Sequence, residues 1–312
     1  MASFKEIAAT TPQRLAGGHR MCAGCGATMI MRQALHSLDP ADELVVTAAT
    51  GCMEVSTTIY PYSAWRCSYI HNAFENSGAT CSGAETAYRA LKKKNRVEAN
   101  YKFLAFGGDG GTYDIGLQSL SGAMERGHDM VYLCYDNEAY MNTGYQRSGA
   151  TPHAASTTTA PAGKESYGKV QFNKDLTGIM AAHRLPFVAQ AVASKPQDFM
   201  RKMKTAFYTE GPCFVNALSP CIPGWRVAPN QSFDLAELAV ETCFWPLYEV
   251  VDGEWKLNYK PKEKKPVVDW LMLQGRFRHL FKPDLRQDII EAIQHEVDRR
   301  WHELLLKCGE GA

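Results

Sequence analysis

Residues 103–145 read FLAFGGDGGTYDIGLQSLSGAMERGHDMVYLCYDNEAYMNTGY. A short apolar run over 103–106 has the character of a buried strand and breaks into Gly107-Gly108-Asp109-Gly110-Gly111. A helical pattern follows over about 114–125, then a second apolar run over 130–135 that ends in Asp136-Asn137. Strand, glycine loop, helix, strand and polar loop make one βαβ unit, whose two strand ends lie side by side. Glycines let the backbone approach a bulky anion, and the following helix offers free N–H groups and a positive dipole end to phosphate. A lone carboxylate there would repel phosphate unless a cation stood between them. Asp109 therefore points to Mg²⁺, which takes oxygen ligands and bridges carboxylate to diphosphate. Asn137, 28 positions on, offers a second ligand through its amide oxygen. A tight turn with an incidental acid is the alternative, and the spacing to Asn137 favours a site.

Length and composition bound the rest. A chain of 312 residues, 45% hydrophobic and 21% charged, can bury a full α/β core. A net charge of +1 gives no argument for nucleic acid or an anionic membrane surface. No run approaches the ~20 apolar residues of a membrane span. The opening MASFKEIAAT lacks the order of a signal peptide, so a cytoplasmic location is expected.

Residues 1–20 read as a polar, irregular arm. Cys22-Ala23-Gly24-Cys25 follows, at the start of a helical pattern over 28–37. No His follows this pair, which removes covalent haem, and no apolar strand precedes it, which disfavours a thioredoxin-type pair. Zinc or an iron–sulfur cluster remain, each needing two more ligands. A strand over 44–49 places Cys52 just past its end, in Thr50-Gly51-Cys52. Of the remaining cysteines Cys221 fits best, in the proline-rich loop SPCIPGW after a strand over 213–218; Cys134 and Cys213 lie inside strand-like runs. Four scattered thiolates suit a [4Fe–4S] cluster or a structural zinc. Zinc ribbons normally carry a second tight C-x-x-C pair, so the spacing favours the cluster. Cys67, Cys81, Cys134, Cys213, Cys243 and Cys308 read as small buried residues.

His71 and Glu75 fall one helical turn apart, in structural roles, and Lys92-Lys93-Lys94 reads as an exposed helix end. Residues 149–170 form a long loop without periodicity, of the kind that covers a site. Alternation then resumes: helix over 174–183, strand over 187–192, helix over 196–208 and strand over 213–218. The expected fold is α/β, a doubly wound and mostly parallel sheet with ligands at the carboxyl ends of the strands. Residues 1–228 would form this domain. Residues 229–312 would be a C-terminal extension, with an amphipathic helix over 284–307, packing on the domain or on partner subunits.

The motifs HRMCAGCGA, ATGCMEV, GGDGGTYDIG, DNEAYMNTGYQRS and SPCIPGW together resemble the β subunit of 2-oxoacid:ferredoxin oxidoreductases, most nearly the pyruvate type. The resemblance spans about residues 17–280. It implies thiamine diphosphate and Mg²⁺ held by Asp109, Asn137 and the Ala139 carbonyl, with Gly108, Gly110 and Gly111 at the diphosphate. Thr50 and Gly51 join that cofactor-binding set. Asn142 would stand at the reaction centre, and Cys22, Cys25, Cys52 and Cys221 would ligate one [4Fe–4S] cluster. The implied reaction is oxidative decarboxylation of a 2-oxoacid, with pyruvate giving acetyl-coenzyme A and CO₂. Electrons would leave singly through the cluster to ferredoxin. The glutamate that activates the thiamine pyrimidine would lie on another chain. Partners would then be a pyrimidine-binding α subunit, with γ and ferredoxin-like δ subunits or fusions of these. Oxalate, 2-oxoglutarate, branched-chain and aryl 2-oxoacids are rival substrates. The rival class is a zinc-stabilised nucleotide-binding module without catalysis.

Overall fold

The computed structural model describes residues 4–310. From the N-terminus run α1 (Phe4–Thr10), α2 (Gly26–His36), β1 (Glu43–Ala49), α3 (Cys52–Thr57), β2 (Ser68–Asn72), α4 (Ser77–Lys93) and β3 (Tyr101–Gly108). A π-helical turn (Gly110–Ile115) leads into α5 (Leu117–Glu125), β4 (Val131–Asp136), α6 (Leu176–Ala182), β5 (Phe187–Val192), α7 (Pro196–Tyr208) and β6 (Cys213–Leu218). The remainder holds α8 (Ile222–Trp225), α9 (Ser232–Glu241), β7 (Tyr248–Val251), β8 (Glu254–Leu257), α10 (Val267–Met272) and α11 (Gln287–Lys307).

One eight-stranded sheet has the order β2-β1-β3-β4-β6-β5-β7-β8. Strands β1 to β6 pair in parallel, and β7 and β8 join antiparallel at the edge beyond β5. The doubly wound, mostly parallel fold is therefore present. Its physical cause is visible in the runs LAF, VYLCYD, FVAQAV and CFVNAL, which are buried on both faces as central parallel strands require. Ile30, Met31, Leu35, Phe199, Met203 and Phe207, from α2 and α7, pack in one apolar core. Leu120 and Met124 of α5 lie in a second with Phe103, Tyr132 and Phe214 of the sheet. A third gathers Trp225, Trp270, Phe277, Ile290 and Ile293, from the C-terminal part of the chain.

The chain leaves β1 towards β2 and returns on the other side to β3, so the winding direction reverses between β1 and β3. Open α/β sheets hold ligands in the crevice at such a point. Register brings the strand ends together: Ala49 pairs with Asn72, Gly108 with Tyr135, and Asp136 with Leu218.

Several expectations need correction. The N-terminal arm is partly helical (α1), and Leu15 bridges to Trp65. His71 lies on the edge strand β2 rather than one helical turn from Glu75. The helix expected over 114–125 is preceded and partly replaced by the π-helical turn. Cys67 and Cys308 are only half-buried.

Candidate functional site

Asp109 ends the β3 loop and is completely buried; Asn137 and Ala139, just past β4, are also buried. The Asn137 backbone N–H donates to Asp109 Oδ1 at 3.2 Å. The Asn137 side-chain oxygen faces two acceptors, Asp109 Oδ1 at 2.9 Å and the Ala139 carbonyl at 2.8 Å; with the amide turned over, its nitrogen would donate to both. Ser148 Oγ donates to the other Asp109 oxygen at 2.5 Å. Burial, then the nearby Asp136 carboxylate, pushes the Asp109 pKa well up.

The loop carrying these groups is fixed from below. Asp136 accepts from the Tyr113 hydroxyl at 2.5 Å, and Asn216 Nδ2 donates to that hydroxyl at 2.8 Å. Burial and the neighbouring Glu138 raise Asp136 to about 7. Glu138 adopts a left-handed backbone (φ 66) and is paired, fully buried, with Arg276. The Arg276 guanidinium stacks 4.2 Å from the Trp225 ring, and Trp225 Nε1 donates to the Asn137 carbonyl at 2.9 Å. Sequence reasoning missed Tyr113, Asp136, Glu138, Ser148 and Arg276 as supports; only the acidic cluster around Asn137 hinted at them.

The glycines answer first to packing. A Cβ on Gly110 would fall 2.4 Å from the Tyr140 ring, one on Gly111 2.6 Å from the Phe74 carbonyl, and one on Gly51 2.5 Å from the Tyr135 hydroxyl. These close approaches leave a cleft that Thr50, Gly51, Gly108, Asp109, Asn137 and Asn142 line together, with Gly110, Gly111 and Ala139 alongside. Thr50 Oγ1 lies 2.8 Å from His71 Nε2, which places His71 at the cleft's outer support.

Cys22, Cys25, Cys52 and Cys221 all line one neighbouring cavity of about 210 Å³. Local chemistry explains the assembly. Cys25 and Cys52 stand at or next to the starts of α2 and α3. The Gly26 N–H donates to the Pro220 carbonyl at 3.0 Å, clamping the C-x-x-C turn to the SPCIPGW loop. Burial lifts the Cys52 and Cys221 thiols to about 12, and the neighbouring cysteines add to both shifts. Among the described residues, no three His, Cys, Asp or Glu side chains meet closely enough for a single metal ion. Cys52, Asn137, Met141 and Asn142 border both the cleft and the cavity, so the two share a wall.

This fold and cleft define a thiamine-binding class: residues 49–217 match the family described as thiamine pyrophosphate enzyme, C-terminal TPP binding domain. Pyruvate synthase subunit PorB of Thermotoga maritima is 52% identical over 294 residues, covering 92% of this chain and 90% of that one. PorB of Methanothermobacter thermautotrophicus is 54% identical over 290 residues, covering 93% and 96%. Ketoisovalerate oxidoreductase subunit VorB of Pyrococcus furiosus is 41% identical over 302 residues, covering 96% and 95%. The chain belongs to the family of 2-oxoacid:ferredoxin oxidoreductase β subunits. A solved 2-oxoglutarate:ferredoxin oxidoreductase from Magnetococcus marinus, with 2-oxoglutarate, coenzyme A and succinyl-CoA bound, shares the fold. It has a TM-score of 0.56 and 22% identity, covering 73% of this chain and 80% of that one. No helix among the described residues is long and apolar enough to cross a membrane.

Proposed function

We propose that this chain is the cofactor-bearing subunit of a cytoplasmic pyruvate:ferredoxin oxidoreductase. Asp109, Asn137 and the Ala139 carbonyl hold Mg²⁺ on thiamine diphosphate, and Cys22, Cys25, Cys52 and Cys221 hold one [4Fe–4S] cluster. The carrying observation is the wall of Cys52, Asn137, Met141 and Asn142 common to cleft and cavity.

The donor sets fit these groups. Mg²⁺ binds oxygens at about 2.0–2.1 Å in an octahedron, which sets adjacent ligands about 2.9 Å apart. The 2.8 and 2.9 Å separations around the Asn137 oxygen match that edge. A Cys₄ zinc site closes on one ion, whereas the four thiols here border about 210 Å³. When bound, thiamine diphosphate supplies the electron sink for decarboxylation and the cluster a one-electron acceptor. The chain's own residues then orient and enclose. Asn142, on the shared wall, presents an amide to the 2-oxoacid, and Cys52 and Met141 border the cleft and the thiol cavity alike.

Pyruvate is favoured over a branched-chain 2-oxoacid by 52–54% identity to pyruvate synthase subunits against 41% to a ketoisovalerate subunit. Tyr60 and Tyr62, 94% and 78% exposed in the segment between α3 and β2, fit a surface covered by a partner subunit. That partner supplies the glutamate for the pyrimidine, and coenzyme A takes the acyl group. The test is anaerobic purification of the assembled complex, with iron and thiamine counted and viologen reduction followed on pyruvate, oxalate, 2-oxoglutarate, branched-chain and aryl 2-oxoacids. The expected result is four irons and one thiamine per copy of this chain, after subtracting the other subunits, with fastest turnover on pyruvate. Zinc in place of iron, or preference for another acid, overturns the corresponding part.

A further inference from the structure

One-oxygen ligation by Asp109 requires its carboxylate to be held with a single oxygen turned towards the Asn137 amide, and a buried network outside the expected ligand set does this. Ser148 and Thr151 are 0% exposed and Lys169 is 3% exposed. Thr151 Oγ1 donates its only hydrogen to the Glu138 carbonyl at 2.6 Å and accepts from the Ser148 N–H at 2.9 Å. The Ser148 hydroxyl accepts from the Ala150 N–H at 3.2 Å, and its own hydrogen goes to Asp109 Oδ2 at 2.5 Å. Its contact with Thr151 Oγ1 is long, at 3.4 Å. Lys169 Nζ donates to the Thr151 carbonyl at 2.6 Å and to the Gly149 carbonyl at 3.4 Å, tying the far end of the long loop back to its start.

The directions of these bonds leave one outcome. Oδ2 of Asp109 is occupied by the serine, and Oδ1, which accepts from the Asn137 backbone N–H at 3.2 Å, alone faces the Asn137 side-chain oxygen, which in turn lies 2.8 Å from the Ala139 carbonyl. The same loop holds the Glu138 carbonyl, so it staples the β3 loop to the turn after β4.

We propose that Ser148, braced by Thr151 and Lys169, is a positioning residue that fixes Asp109 as a one-oxygen ligand and thereby selects Mg²⁺ over larger divalent cations. The inference rests on the Mg²⁺–diphosphate reading of the cleft. Mg²⁺ demands near-ideal octahedral geometry, whereas Ca²⁺ accepts bidentate carboxylates and irregular shells. A carboxylate freed to rotate therefore loses Mg²⁺ more than Ca²⁺. Partners that orient metal ligands typically contribute 10- to 100-fold to metal affinity.

The experiment uses the assembled complex, depleted of divalent cation and thiamine diphosphate. Thiamine diphosphate binding is followed by tryptophan fluorescence or calorimetry while Mg²⁺ or Ca²⁺ is titrated. S148A should weaken the Mg²⁺-supported binding by about 10- to 100-fold and the Ca²⁺-supported binding markedly less, and S148T should restore the Mg²⁺ preference. If S148A does not assemble, S148C, a weaker donor of similar size, carries the same comparison. Unchanged Mg²⁺ affinity in S148A, or equal losses with both ions, overturns the inference. A wild-type complex that binds thiamine diphosphate without any divalent cation overturns the underlying reading instead.

Discussion

Among ten cysteines, position in the fold separates four from the rest. Cys22, Cys25, Cys52 and Cys221 stand at turns and helix starts around one cavity, while Cys134 and Cys213 are inside strands and fully buried. A thiol packed in a central strand has no room for an inorganic group. C221A should therefore lose the cluster iron, and C213A should retain it at a modest cost in stability, as measured by iron content per chain. Loss of iron in both would indicate a general folding defect and remove the distinction. Asp109, Asn137, Cys52 and Cys221 could be nominated from sequence because each is a chemistry-bearing residue at a strand end, and Cys22 and Cys25 because they form a C-x-x-C pair at a helix start. Ser148, Glu138 and Arg276 could not: their roles depend on partners 39 and 138 positions away, which no local pattern encodes.

At the level of elements, the central strands announced themselves as continuous apolar runs, and their alternation with helices gave the doubly wound class, whereas the strand order is visible only in the structure. Edge strands did not. β2 is SYIHN, with only Asn72 buried, and β8 at the other edge is EWKL, four residues with none buried; β7 beside it is also only four residues long. Segments this short give too few residues for an apolar run or an alternation to stand out. The long loop over 149–170 read as irregular and of the kind that covers a site; what its sequence did not show is how tightly it is held. His153 Nδ1 bonds the Val170 carbonyl at 2.6 Å, and His279 Nε2 the Tyr167 carbonyl at 2.9 Å. Burial lowers both imidazoles below their ordinary 6.5. A lowered base binds fewer protons folded than unfolded. Its contribution is thus complete above 6.5 and is lost as pH falls through the folded values. Protease cleavage within this loop should accelerate between about pH 7 and pH 5.5, and H153Q should flatten part of that rise. A wild-type cleavage rate that is independent of pH would contradict this account of the loop.

For the molecule as a whole, the reversal between β1 and β3 decides where function sits. It brings Thr50-Gly51-Cys52 beside Gly108-Asp109, and the neighbouring β4 and β6 ends add Asn137 and Cys221. One sheet edge thereby carries an oxygen-ligand cleft and a thiol cavity with a common wall. In the proposed function, electrons released in the cleft would pass across that wall to a cluster in the cavity. The direct test is electron paramagnetic resonance of the anaerobic complex after mixing with pyruvate. The wild type should give a reduced [4Fe–4S] signal, and D109N, which would keep its iron but lose a ligand for the metal–diphosphate, should give none. A signal of equal size in D109N, or none in an iron-loaded wild type, would contradict it.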